Sequence, residues 1–188
     1  MDLKNLAIVR QSFANSVFTH KVQEVAAEFQ SAKAYMIMIM NIGLVSIVLI
    51  LLVLQAGNPN AIWLSYLGAG VTVAEIIFLI VQLSFNFEQK AILHKNSALK
   101  FMALRDNYRS LITDIMNLQI DSSAIISRRD NLQYQYQVIS DLAPQTSSKE
   151  YIEAQKRLNK RGEIAGEEFT WSDEEIDFFL PETLRLKK

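Results

Sequence analysis

Between Lys33 and Glu75 the chain contains no Asp, Glu, Lys or Arg, although 21% of its 188 residues are charged. So long an uncharged run limits the fold more than any other feature, because it leaves little to hold the segment against water. Residues 34–54 read AYMIMIMNIGLVSIVLILLVL, matching the roughly 20 apolar residues with which a helix crosses the bilayer hydrocarbon. Gly57, Asn58 and Pro59 then punctuate the sequence QAGNPN at 55–60, a combination that ends helices and favours a tight turn. A second apolar run, 61–85, opens with Trp63 and Tyr66, residues that favour the membrane interface. The expectation is a helical hairpin with two membrane spans. Burial of both runs in a soluble core would need far more flanking chain to wrap them. A cleaved signal peptide fits poorly, because 33 residues of amphipathic character precede the first span and a second span follows it.

Orientation follows from the basic residues. Lys21, Lys33, Lys90, Lys95, Lys100 and Arg105 flank the spans, and the connecting turn has no positive charge. The positive-inside rule therefore places both termini in the cytoplasm. The expected organisation is an amphipathic cytoplasmic helix over 1–33, a transmembrane hairpin over 34–87, and a cytoplasmic helical region over 88–188 whose acidic, aromatic tail begins at 163.

Composition removes several classes of chemistry. The formal net charge of −1 gives no overall attraction to nucleic acid. The absence of cysteine excludes disulfides, thiolate metal sites and thiol nucleophiles. His20 and His94 are far apart in sequence and have no second ligand at metal-binding spacing, so no metal or cofactor is expected. No Walker loop, dinucleotide fingerprint, H-E-x-x-H or nucleophile elbow occurs. An enzyme is not expected.

The second span has a chosen side. Ala61, Ser65, Gly68, Thr72, Glu75, Leu79, Gln82 and Asn86 recur at steps of four and three, placing them on one helical face. All but Leu79 are small or polar, and Gly70 with Ala74 adds a small-xxx-small pair nearby. Small residues let membrane helices approach closely, and polar groups there must find partners, so this face should meet protein or water. At 1.5 Å per residue, Glu75 lies about 15 Å from the cytoplasmic end of its span, where an acid costs roughly 2.5–3.5 kcal/mol on insertion scales. Two readings stand. Ser65, Gly68, Thr72, Glu75 and Gln82 line a polar path in an assembly of hairpins, or they pack the hairpin, with Glu75 bonded to Asn41 or Ser46.

Outside the spans the pattern is that of amphipathic helices. Phe18, Val22, Val25, Phe29 and Ala32 share one face before the first span. After the second, Phe101, Leu104, Tyr108, Leu111, Ile115, Leu118, Ile125, Leu132, Tyr136, Ile139 and Ala143 fall on one heptad register. This predicts one long helix, or two with a break near Asp121, Ser122 and Ser123. Such spacing serves self-association as well as a bundle with the N-terminal helix. Pro144 stops the segment, and Ser147 with Glu150 has the capping-box spacing that starts another helix. Lys156, Arg157, Lys160 and Arg161 form basic rows suited either to the negative end of that helix or to an anionic nucleotide or lipid headgroup. In the tail, Ser172 and Glu175 repeat the capping-box spacing before Pro181. The tail is expected to pack over the bundle or to dock a partner.

The order of helix, two-span hairpin and long polar helices, followed by Tyr136, Ile139, Ala143-Pro144, Thr146, Tyr151 and Ala154, resembles the SLATT family of SMODS- and SLOG-associating two-transmembrane effector domains. That resemblance covers nearly the whole chain. It implies an all-α membrane protein acting as a homo-oligomer in the bacterial inner membrane. Its implied role is an antiphage effector that damages the lipid bilayer when a companion detects infection. The implied partners are a nucleotide signal or a companion protein such as a nucleotide cyclase or reverse transcriptase. No active site transfers, since the family works by assembly. A membrane-anchored coiled-coil scaffold is the alternative.

Overall fold

The computed structural model describes residues 2–158 and 170–186, and among them there are helices and no strand. In chain order they are α1 (Leu3–Gly57), α2 (Ile62–Phe85), α3 (Phe87–Met116), α4 (Ser122–Leu142), α5 (Ser148–Arg157), α6 (Asp173–Phe178) and a 3-10 turn at Glu182–Leu184. The chain forms two compact units: one from residues 28–91, the other from the described parts of 1–27 and 92–188.

The second unit is a helical bundle. Asp2 starts α1 by accepting the Asn5 backbone N–H on its side chain at 3.2 Å, satisfying one of the donors a helix start leaves open. Leu6, Val9, Phe13 and Val17 then line one face of α1 and are buried, and Val22 and Val25 are buried further along on another face. Phe101, Leu104, Tyr108, Leu111 and Ile115 of α3, with Ile125 and Leu132 of α4, are buried as well. Each fully buried side chain of this size contributes about 1.5–3 kcal/mol. Polar contacts tie α4 to α1: the hydroxyls of Tyr136 and Thr19 lie 2.9 Å apart, and Arg129 donates to the Asn5 side chain at 2.6 Å. Tyr136 also packs on Phe101, ring centroids 5.5 Å apart. The heptad seam is thus covered from within one chain.

One seam position departs from its expected place. Leu118 is 68% exposed and has φ 55°. α3 stops at Met116, and Gln119 N–H reaches back to Asp114 O at 3.0 Å. This is a closing turn whose left-handed position usually belongs to glycine. Asp121 restarts the chain as α4 by capping the Ala124 N–H at 2.7 Å. The capping boxes at Ser147 with Glu150 and at Ser172 with Glu175 both form.

The first unit is a two-helix hairpin. On α1, Ala34, Ile37, Asn41, Leu44, Val48 and Gln55 are half-buried and Leu51 is buried. On α2, Ala61, Gly68, Val71, Glu75, Phe78 and Gln82 are half-buried and Leu64 is buried. Both series alternate steps of three and four, the spacing with which two helices keep one seam facing the other. A Cβ on Gly68 would stand 3.9 Å from the Leu51 Cβ, which sets Gly68 against Leu51. In an antiparallel pair the same register brings Glu75 to the level of Leu44 and Gln82 to that of Ile37. Thr72 is half-buried beside them, and the remaining residues of 34–57 and 62–85 are exposed. The most apolar window of each candidate span is only 6% buried, with mean hydropathy 3.0 and 2.0. The apolar core helix of a soluble protein would be mostly buried, so these two helices are long, apolar and exposed enough to cross a membrane.

Candidate functional site: a polar seam in the hairpin

The seam brings most of the expected stripe together on the side of α2 that meets α1. Gly68, Thr72, Glu75 and Gln82 are half-buried there, whereas Ser65 is exposed on the outside of the hairpin. The Thr72 hydroxyl donates a hydrogen bond to the Gly68 carbonyl at 2.9 Å, the usual way a membrane helix satisfies a threonine within itself. Ser46 does the same with Ile42 O at 2.7 Å and so offers Glu75 nothing. The Asn41 Oδ1, Gln55 Oε1 and Gln82 Oε1 atoms are buried and have no hydrogen-bond partner. Among the described residues Glu75 has none either. The expected bond from Glu75 to Asn41 or Ser46 is therefore absent. A line of polar groups runs along the hairpin with its hydrogen-bonding capacity largely unspent, and each buried unpaired group costs about 1–3 kcal/mol.

The basic rows are only partly in view. Lys156 is exposed and Arg157 pairs with Glu153 at 2.9 Å, both cations lying in the last turn of α5 where they complement the helix dipole. Lys160 and Arg161 lie outside the described residues.

A cluster that sequence spacing did not reveal joins the tail to α1. Arg10 is 1% exposed, and its Nη2 donates to Asp177 at 2.7 Å and to Asp173 at 3.4 Å. Gln11 bonds both backbone groups of Trp171, accepting its N–H at 2.9 Å and donating to its carbonyl at 2.6 Å. The Trp171 indole N–H donates to Asn15 at 2.8 Å. Trp171, Ile176 and Leu180 are buried. Residues 170–186 of the tail pack over the bundle with Arg10 as their cationic partner, and residues 163–169 lie outside the described residues. A charge one step from Leu6, Val9 and Phe13 on an apolar face was the available signal.

Both histidines also join α1 to α3. His20 Nδ1 lies 2.8 Å from the Ala98 carbonyl, and His94 Nδ1 lies 2.7 Å from the Gln23 side-chain oxygen. Gln23 in turn donates to the Pro144 carbonyl at 3.2 Å. Burial pushes both imidazoles below the ordinary histidine value, against the raising effects of the Ala98 bond and Glu24 at His20 and of Glu150 at His94. Arg105 and Lys21 push His20 further down. A base whose folded pKa is depressed gives stability that is full above its unfolded pKa, near 6.5, and is lost as pH falls through that value. The melting temperature of the purified protein should therefore drop between pH 7.5 and 5. His20→Gln with His94→Gln should flatten that drop, and an unchanged slope would assign it to other groups.

A helical hairpin bare to lipid on its outside and polar along its seam, encoded within the same chain as a helical bundle, defines an integral membrane protein of the two-span class. The chain belongs to SMODS and SLOG-associating 2TM effector domain family 4, whose model matches residues 6–175. It is thus an effector domain of a kind typically found in defence systems, not a member of a known enzyme family. Neither curated proteins nor solved structures give a match. The family match ends inside α6, so it includes Arg10 and Asp173 and stops short of Asp177.

Proposed function

We propose that this protein is an oligomeric membrane effector of a bacterial nucleotide-linked antiphage system, forming a pore or disrupting the inner membrane when a companion protein or its nucleotide signal activates it. The unspent polar seam carries this reading. In hydrocarbon, unpaired carbonyl oxygens on Asn41, Gln55 and Gln82 beside an unpartnered Glu75 make the isolated hairpin a costly arrangement. A rearrangement that lets water or a second hairpin reach the seam satisfies those groups, which gives the active state a driving force. Association has a surface available, since a Cβ on Gly43 or Gly70 would meet nothing within 4 Å and close backbone approach is what small residues permit.

Topology is supported by the bundle itself. Its hydrogen bonds join residues before the hairpin to residues after it, as between Arg10 and Asp177, which supports a hairpin with both flanks on one side of the membrane. The basic flanks make that side the cytoplasm.

The test is ion flux from vesicles holding activated protein. Glu75→Gln keeps size and hydrogen bonding while removing the ionisable group, so cation-over-anion preference should fall several-fold. Asn41→Leu with Gln82→Leu should do the opposite to the resting state, stabilising the closed hairpin and suppressing flux. A scaffold is the second reading, favoured by Tyr134, Val138 and Leu142, which are 70%, 38% and 72% exposed at successive i,i+4 positions of α4. Flux unchanged in both variants, with function surviving replacement of the spans by an unrelated apolar hairpin, would establish the scaffold.

A further inference from the structure

At the open end of the hairpin, opposite the 58–61 turn, two cations from different helices meet one aromatic ring. The ammonium of Lys33, at the start of the first apolar run, lies 5.8 Å from the centroid of Phe87. That of Lys90, one turn into α3, lies 5.9 Å from the same centroid. Asn86 makes this possible: its left-handed backbone, φ 41°, ends α2, and its side chain caps the Gln89 N–H at 3.3 Å. The chain thereby turns Phe87 onto Phe85, the rings 5.6 Å apart and 13° from parallel. Among the described residues neither lysine has a carboxylate partner. Glu28 already has an interaction of its own, and Glu88 is exposed beside Phe87 in the chain.

Two like charges drawn to one ring repel each other, and the ring face offsets this only weakly at the outer limit of cation–π range. An anion held by these ammonium groups offsets the repulsion. The position selects which anion. Residues 34 and 85 mark the ends of the two apolar runs, so the ring and both ammonium groups sit at headgroup depth, with the stacked Phe85 and Phe87 beside the upper acyl chains. We propose that Lys33, Lys90 and Phe87 form a binding site for the phosphate of an anionic phospholipid. The proposal rests on the membrane location alone and holds whether the hairpin conducts or merely anchors.

The experiment uses the full chain in mild detergent, exchanged through mixed phosphatidylglycerol and phosphatidylcholine and then stripped, with retained lipid measured by mass spectrometry. Each of Lys33→Gln and Lys90→Gln should lower phosphatidylglycerol retention about fivefold, and the pair more than tenfold, with phosphatidylcholine unchanged. Lys33→Arg with Lys90→Arg should keep it, and Phe87→Leu should weaken it. Both lysines are exposed, so the helical circular dichroism should match wild type in every variant. Equal retention in the double variant overturns the site. So does an equal loss in Lys100→Gln, which would show diffuse charge attraction, and so does displacement of the lipid by millimolar inorganic phosphate, which would make free phosphate the ligand.

Discussion

Replacing Arg10 by methionine should lower the stability of the bundle by about 3 kcal/mol, near the lower end of what breaking a buried ion pair costs. The guanidinium is 1% exposed and holds Asp177, itself only 18% exposed, at 2.7 Å. Methionine fills much of the volume but leaves that carboxylate half-desolvated, with the Leu186 N–H at 3.4 Å still donating to it. Asp173 adds little, because at 63% exposure water screens it. Asp177→Asn in the Arg10→Met background should recover much of the loss, and the double-mutant cycle isolates the pair. The Leu184 carbonyl, which accepts from Arg10 at 3.4 Å, loses its partner in both. Trp171 fluorescence in a Trp63→Phe background reports whether the tail leaves before the bundle melts. A single variant as stable as wild type would show that Asp177 finds water without difficulty and that the tail is held by Trp171, Ile176 and Leu180 alone.

Leu111→Asp should be more damaging still. Leu111 has no exposed surface, and a carboxylate there must be desolvated or protonated among apolar neighbours, a change expected to cost more than about 4 kcal/mol. Because the seam closes within one chain, the loss should appear as unfolding of a single subunit, independent of protein concentration. Circular dichroism melts at several concentrations check this. A strong concentration dependence in wild type, absent in Leu111→Asp, would show that the same face also joins subunits.

Those two residues illustrate what the amino-acid pattern could and could not convey. Periodicity states that a face is buried without saying against what. Leu111, Phe101 and Leu132 were legible as core, while their partners on α1 and the choice between one chain and several were not. The spans, a break near Asp121 and both capping boxes are legible because each rests on local chemistry. Leu118 was misplaced because heptad counting runs through a helix end that only backbone geometry reveals. On α2 the polar face was legible, but a four-residue step carries Ser65 around the helix to the lipid side while Leu64 takes the seam. Arg10 reads locally as a charge on an apolar face, but its partners lie more than 160 residues away in sequence, beyond any local pattern. For the same reason Asn41 and Gln82 could be named as polar, yet their unpaired state required coordinates.

The bundle is assembled from chain that is synthesised before and after the hairpin, and this sets the order in which the protein can be made. When the first 27 residues leave the ribosome, their apolar face and Arg10 have no tertiary partners, because α3, α4 and the tail do not yet exist. The spans emerge next and enter the membrane while that N-terminal segment waits. Only after insertion can the later helices close over it, with contacts separated by 71 to 174 residues. Bundle closure is therefore a late, post-insertion event, and a chain stalled in the membrane step keeps an exposed, sticky N-terminal helix that quality-control proteases can recognise.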